Sequence, residues 1–182
     1  MDALLALKAR RSVGSYKPDP VPPKIVEDIV DCGLLAVTAL NLQPWEFVVA
    51  AEMESRRQLA EMIDTGRFIG EAPVCVAVFC RDTKYYLEDG SAAIQNMLVA
   101  ARAHGLGSCW VAGDKKPYFA RVGEMLGMAL QTHRAGCVGL FHRTTLVATQ
   151  EIALRSAALG EVLAEVQGRF YVIGHADDRS GR

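Results

Sequence analysis

The sequence predicts an α+β fold, with helices layered against a mixed β-sheet, and three observations predict it. Helical and strand patterns alternate loosely along the 182 residues. No glycine-rich fingerprint follows the first strand, which argues against a dinucleotide-binding doubly wound sheet. The run APVCVAVFC from Ala72 is almost continuously apolar and of strand length. Such a run reads as a central strand covered on both faces.

The remaining elements follow in order. A first helix is predicted over Asp2–Arg10, and KPDPVPP then crosses to a second helix opened by Pro22 and Pro23. Within it Val26, Ile29, Val30, Gly33 and Leu34 recur at helical spacing, which gives one buried face. WEFVVAA reads as a strand and SRRQLAEMIDTG as a helix ending at Gly66. The longest helix is predicted from Tyr86 to His104, with Gly105 as its terminating residue. Ser108–Ala112 is a short strand, and Pro117 opens a helix to Leu126. Beyond Gly127 the patterns give strands at Cys137–His142 and Thr145–Ala148, a helix at Ala157–Val166 and a last strand at Phe170–Ile173.

Bulk properties narrow the function. The length suits one compact domain over residues 1–182. About half the residues are hydrophobic and the formal net charge is −1, so nothing marks a nucleic-acid partner. No apolar run reaches membrane-spanning length and the apolar opening is too short for a signal peptide, so a cytoplasmic location is expected. The five cysteines lack C-x-x-C spacing and read as free thiols, and the four histidines are scattered. No metal site is predicted.

Four stretches carry the functional signal. ARRSVGSY puts Arg10, Arg11 and Ser12 directly after the first helix. Alone, the arginines fit either a solvated helix end, where cations favour the negative dipole, or a clamp for an anion. NLQPWEFVVA supplies Asn41 and Gln43 before a strand, and Pro44 makes a turn there in either case. APVCVAVF is the central strand. DGSAAIQNMLVAARAHGLGSCWVAG joins a small-residue helix to the strand that ends near Gly113.

Together, in this order and spacing, these stretches resemble the FMN-dependent nitroreductase family over residues 1 to about 127. The resemblance implies a nitroreductase-like three-layer fold, a central mixed sheet flanked by helices. It also implies a homodimer that binds FMN at its interface and takes NADH or NADPH as electron donor. Arg10, Arg11 and Ser12 then match the segment that holds the FMN phosphate and ribityl chain. Asn41 and Gln43 match a loop that reaches the flavin of the partner subunit. Thr38 keeps a hydroxyl where relatives carry Pro-Ser-Ser or Pro-Ser-Ala, Gly113 matches a close backbone approach to the ring, and Arg155 matches a second phosphate ligand, with His142 and Arg143 as rivals. Gln95 and Asn96 match the dimer-forming helix and are read as structural.

The departures from the family pattern are specific. Gly14 stands where many members carry Lys or Arg near the pyrimidine edge of the ring, with Lys17 or Arg67 as substitutes. Ala112 lacks the carboxylate some relatives have, and the segment from about 128 onward is atypical. The expected activity is ping-pong hydride transfer from NAD(P)H to nitroaromatics, quinones or related small acceptors. No catalytic acid or base is predicted, because proximity and orientation supply the rate. The alternative is a flavin-binding protein of the same fold without reductase turnover.

Overall fold

The computed structural model describes residues 2–128 and 166–174. Its sheet is built on β2 (Val74–Arg81), in which seven successive residues are buried before the half-buried Arg81. With no polar alternation to offer water, this strand needs cover on both faces. β1 (Trp45–Ala50) pairs with it antiparallel, Trp45 opposite Cys80. β4 (Val166–Gly174) pairs antiparallel on the other edge, Val74 opposite Ile173 and Arg81 opposite Val166. β3 (Gly107–Val111) lies outside β4, Ser108 opposite Ile173, so the order is β1-β2-β4-β3. The parallel part of the expected mixed sheet is, among the described residues, a single bridge from Ser12 to Ser108. There the Val13 N–H donates to the Ser108 carbonyl at 3.0 Å, so the segment after the first helix flanks the outer edge of β3.

Helix α1 (Ala3–Ala9) begins at Asp2, whose Oδ1 accepts from the Leu4 and Leu5 amides at 3.0 and 3.3 Å. Such a cap satisfies two of the amides that a helix start leaves open. It buries only Ala6 and leaves Leu4, Leu5 and Leu7 more than half exposed. α2 (Pro23–Leu34) buries Val26, Ile29, Val30 and Gly33, the face its spacing predicts. α4 (Tyr86–Ala103) packs on α2 and turns Ala93, Met97, Ala100 and Ala101 inward. A Cβ at Gly90 would sit 2.8 Å from the Cys80 sulfur, so α4 meets β2 closely only because this residue has no side chain. α5 is Phe119–Met125.

α3 (Met53–Met62) ends four residues before the expected Gly66. Ile63 turns out of helical geometry (φ −107°, ψ 95°) and a 3-10 turn over Asp64–Gly70 follows. Ile63 and Ile69 are both fully buried, so burial of two large side chains overrides the helical pattern. The strands expected at Cys137–His142 and Thr145–Ala148 lie outside the described residues, as does the helix expected from Ala157 except Val166, which opens β4.

Candidate functional site

The expected site residues fall into two groups. The first lies along the outer flank of β3. Arg10 closes α1 in extended geometry (φ −60°, ψ 130°), which sends the chain from the helix onto the sheet. It is half-exposed, and its guanidinium has no hydrogen bond or ion pair among the described residues. Arg10 lies close enough to β3 that its charge favours the thiolate of Cys109, whose thiol burial pushes up. Arg11 is differently committed: its Nη1 donates to the Lys8 and Arg10 carbonyls, both at 2.8 Å, and so caps α1. Ser12 is exposed at the bridge to Ser108.

Gly113 is buried two residues past the end of β3. The turn it opens is fixed by the Lys116 N–H donating to the Gly113 carbonyl at 3.3 Å and the Tyr118 hydroxyl donating to the Ala112 carbonyl at 2.8 Å. From Ser108 to Gly113 the flank is about 15 Å long. Gly14, two residues past the bridge at Ser12, faces Phe68, and a Cβ there would meet nothing nearer than 3.9 Å.

The second group is the loop before β1. Leu40, Asn41 and Gln43 all have left-handed backbones (φ 58°, 55° and 45°). For leucine and glutamine this costs about 1–2 kcal/mol each, and less for asparagine, so the loop needs external restraint. The Gln43 amide donates to Thr38 Oγ1 at 3.3 Å, and Gln43 Nε2 donates to Asn41 Oδ1 at 3.3 Å. Arg81 Nη2 donates to the Leu42 carbonyl at 2.7 Å, and the Ala39 amide donates to Asp89 Oδ1 at 2.9 Å. Asn41 stands exposed at the tip.

One chain does not bring the two groups together. Ser108 aligns through Ile173 with Val74, whereas Trp45 aligns with Cys80. Six residues along β2 and three strand spacings across put Ser108 about 25 Å from Trp45, and Val111, level with Ala77 through Phe170, still lies about 17 Å from it with two strands between. Arg155 and its rivals His142 and Arg143 lie outside the described residues. Asn96 Nδ2 donates to the Cys32 carbonyl at 3.0 Å and ties α4 to α2, in keeping with a structural part. Gln95 is exposed. Two grooves among the described residues lie elsewhere, one lined by Arg57, Glu61, Asp64 and Arg67 and one by Tyr16, Pro20, Arg56 and Pro73. Arg67 therefore faces a groove that holds none of the expected cofactor residues. No cluster among the described residues suits a metal ion, and no described helix is long and apolar enough to cross a membrane.

Sequence reading passed over Asp89. It is 3% exposed in the first turn of α4. Its Oδ2 is buried with no hydrogen-bond partner among the described residues. Burial raises its pKa, the Ala39 amide opposes that shift, and the Glu88 charge adds to it. A carboxyl whose folded pKa lies above its unfolded value stabilises the fold fully at low pH and loses that contribution as pH rises through the folded value. Wild-type stability should therefore fall relative to Asp89→Asn as pH rises from about 4 toward neutrality. Thermal melts of both proteins across that range check it; parallel pH profiles would remove the burial effect.

Known proteins extend this geometry. The nitroreductase family profile matches residues 7–66 and 65–141. A protein of Methanothermobacter thermautotrophicus, provisionally named NADH dehydrogenase/NAD(P)H nitroreductase, is 33% identical over 115 residues, which cover 60% of this chain and 60% of that protein. The match thus spans less than two-thirds of that relative's length. An FMN-dependent nitroreductase of Clostridium difficile R20291 superposes with a TM-score of 0.67 at 22% identity, covering 96% of this chain and 88% of that one. A provisionally named nitroreductase of Desulfovibrio desulfuricans, solved in complex with FMN, gives a TM-score of 0.65 at 25% identity, covering 100% of this chain and 90% of that one. With a family profile that runs across most of its length, on a fold those structures share, the chain belongs to the nitroreductase family.

Proposed function

We propose that this chain is an FMN-dependent oxidoreductase that takes reducing equivalents from NADH or NADPH. It passes them to nitroaromatics, quinones or related small acceptors by ping-pong hydride transfer. The observation that carries this reading is Arg10. A guanidinium without an ion pair among the described residues stands next to the exposed Ser12, on a strand flank that leads to a buried glycine. That donor set fits an elongated cofactor with a phosphate at one end. Arg10 would hold phosphate oxygens through its planar fork and Ser12 would add a hydroxyl. Arg11 has only the rest of its guanidinium to offer. Gly113, without a Cβ, lets backbone approach the ring.

FMN, when bound, supplies the hydride chemistry. The residues of the chain bind, orient and tune. Asn41 presents an amide able to donate and accept at a ring edge, and Gln43 and Thr38 hold it there. Because β2 and β4 stand between the Asn41 loop and the whole β3 flank within one chain, a shared site needs a homodimer, with Asn41 of one copy against the flavin held by the other. Leu35, Val37 and Leu40, each at least 80% exposed, give that second copy an apolar surface beside the loop.

The test is anaerobic stopped-flow mixing of the FMN-loaded protein with NADH and, separately, NADPH. Rapid bleaching by either donor is expected. Bound FMN that neither donor bleaches would overturn reductase turnover and leave the alternative, a flavin-binding protein of the same fold. That alternative draws on Gly14, which lacks the cation of many relatives, on Ala112, which lacks the carboxylate of some, and on the atypical sequence from about 128 onward.

Gly14 also yields a gain-of-function prediction. A Cβ there would make only an ordinary contact with Phe68 at 3.9 Å, so Gly14→Lys should fold normally. A new cation near the reduced ring, interacting by about 1–3 kcal/mol, should raise the two-electron midpoint potential by roughly 20–60 mV. Redox-dye titration checks it, and an unchanged potential would place residue 14 away from the ring.

A further inference from the structure

We propose that Asp89 is a positioning residue of the cofactor site, fixing the left-handed loop that presents Asn41 by accepting the Ala39 N–H. The inference rests on the reading that Asn41 meets the flavin of a second copy. Asp89 and Ala39 are 50 residues apart in sequence, and their 2.9 Å hydrogen bond joins the first turn of α4 to the start of the loop. The other end is held separately, by Arg81 on the Leu42 carbonyl and by Thr38 on the Gln43 amide. Between these anchors lie Leu40 and Asn41, both left-handed and both exposed. Leu40 is 84% exposed and the Asn41 side chain is tied, among the described residues, only to Gln43 of the same loop, so the anchors to the rest of the chain must hold the conformation. Strained backbone of this kind persists only where its surroundings over-determine it.

The chemistry of Asp89 suits that task. The side chain is 3% exposed, one oxygen takes the Ala39 amide, and the other is buried without a hydrogen-bond partner among the described residues. A group used only for core packing would be better apolar, since an unsatisfied buried oxygen is costly. What Asp89 contributes is an acceptor aimed at one loop amide. Through that amide it sets where Asn41 stands.

The experiment uses the full chain loaded with FMN, reading FMN affinity by fluorescence and the midpoint potential by dye titration. Asn41→Ala should weaken FMN roughly three- to tenfold, the worth of one hydrogen bond, and shift the potential. Asp89→Ala should do the same in the same direction, and should add little in the Asn41→Ala background, because both act through one contact. Asp89→Asn keeps the acceptor and should behave as wild type.

Ala39→Pro removes the donor instead and guards against an Asp89→Ala protein that does not fold. Thr38 is extended (φ −133°, ψ 150°), as a residue before proline must be, and position 39 starts the 3-10 turn. Ala39→Pro should follow Asp89→Ala. If Asn41→Ala shifts affinity and potential while Asp89→Ala and Ala39→Pro leave both unchanged, only the role of Asp89 is overturned. If Asn41→Ala changes neither, the flavin contact and this inference fall together. Full additivity of Asp89→Ala and Asn41→Ala also overturns it.

Discussion

Replacing Arg10 with alanine is expected to weaken FMN binding about thirtyfold, roughly 2 kcal/mol, the worth of a hydrogen bond to a charged group. Arg10 is half-exposed and its guanidinium has no partner among the described residues, so its removal orphans none of them. The loss should therefore appear in binding and not in the melting temperature. Arg10→Lys should recover part of the affinity, since lysine keeps the charge but not the two-pronged geometry. Arg11→Ala is the natural contrast. Its Nη1 already donates to two carbonyls at the end of α1, so its loss should fray that helix more than it weakens FMN. Fluorescence-quenching titrations of the three variants decide the matter. An Arg10→Ala protein with wild-type affinity would return Arg10 to the role of a solvated helix end.

The parts of this fold that local physics controls were legible. Seven buried residues in a row announce β2, and the spacing of Val26, Ile29, Val30 and Gly33 announces the inner face of α2. The strand order was not legible. β4, more than 50 residues beyond β3 in sequence, inserts between β2 and β3. Pairing of that kind depends on closing a long loop and on packing across the sheet, which no local period records. The end of α3 misled for a related reason. The helical pattern of SRRQLAEMIDTG continues past Met62, but the core claims Ile63 and the backbone turns to deliver it.

The site divides in the same way. Arg10, Ser12 and Asn41 are visible because their stretches resemble the nitroreductase family; alone, the arginines also fit a solvated helix end and Asn41 a turn before a strand. Their separation by about 25 Å was invisible, since it follows from the sheet register. Asp89 was invisible too. An acid in the first turn of a helix is ordinary, because it complements the dipole. Only the loop arriving from 50 residues earlier makes it buried and half-satisfied.

Leu40→Asp is expected to raise the dimer dissociation constant at least a hundredfold and to remove tight FMN binding with it. Leu40 is 84% exposed, at φ 58°. Aspartate enters the left-handed region more readily than leucine, so the isolated chain should fold as well as before. The penalty falls on association. Burying a leucine is worth about 1.5–3 kcal/mol, and in a two-fold dimer the residue counts twice. At least about 3 kcal/mol is then lost, more than a hundredfold in dissociation constant. An unpaired carboxylate placed in the contact makes the loss larger. FMN should follow, because Arg10 and Asn41 would reach one flavin only from two copies. Sedimentation velocity and FMN titration at matched concentrations, with a thermal melt as control, separate the outcomes. A Leu40→Asp dimer that still binds FMN tightly would move the interface away from this loop. A monomer that binds it tightly would instead remove Asn41 from the cofactor site and leave the flank of β3 to hold the flavin by itself.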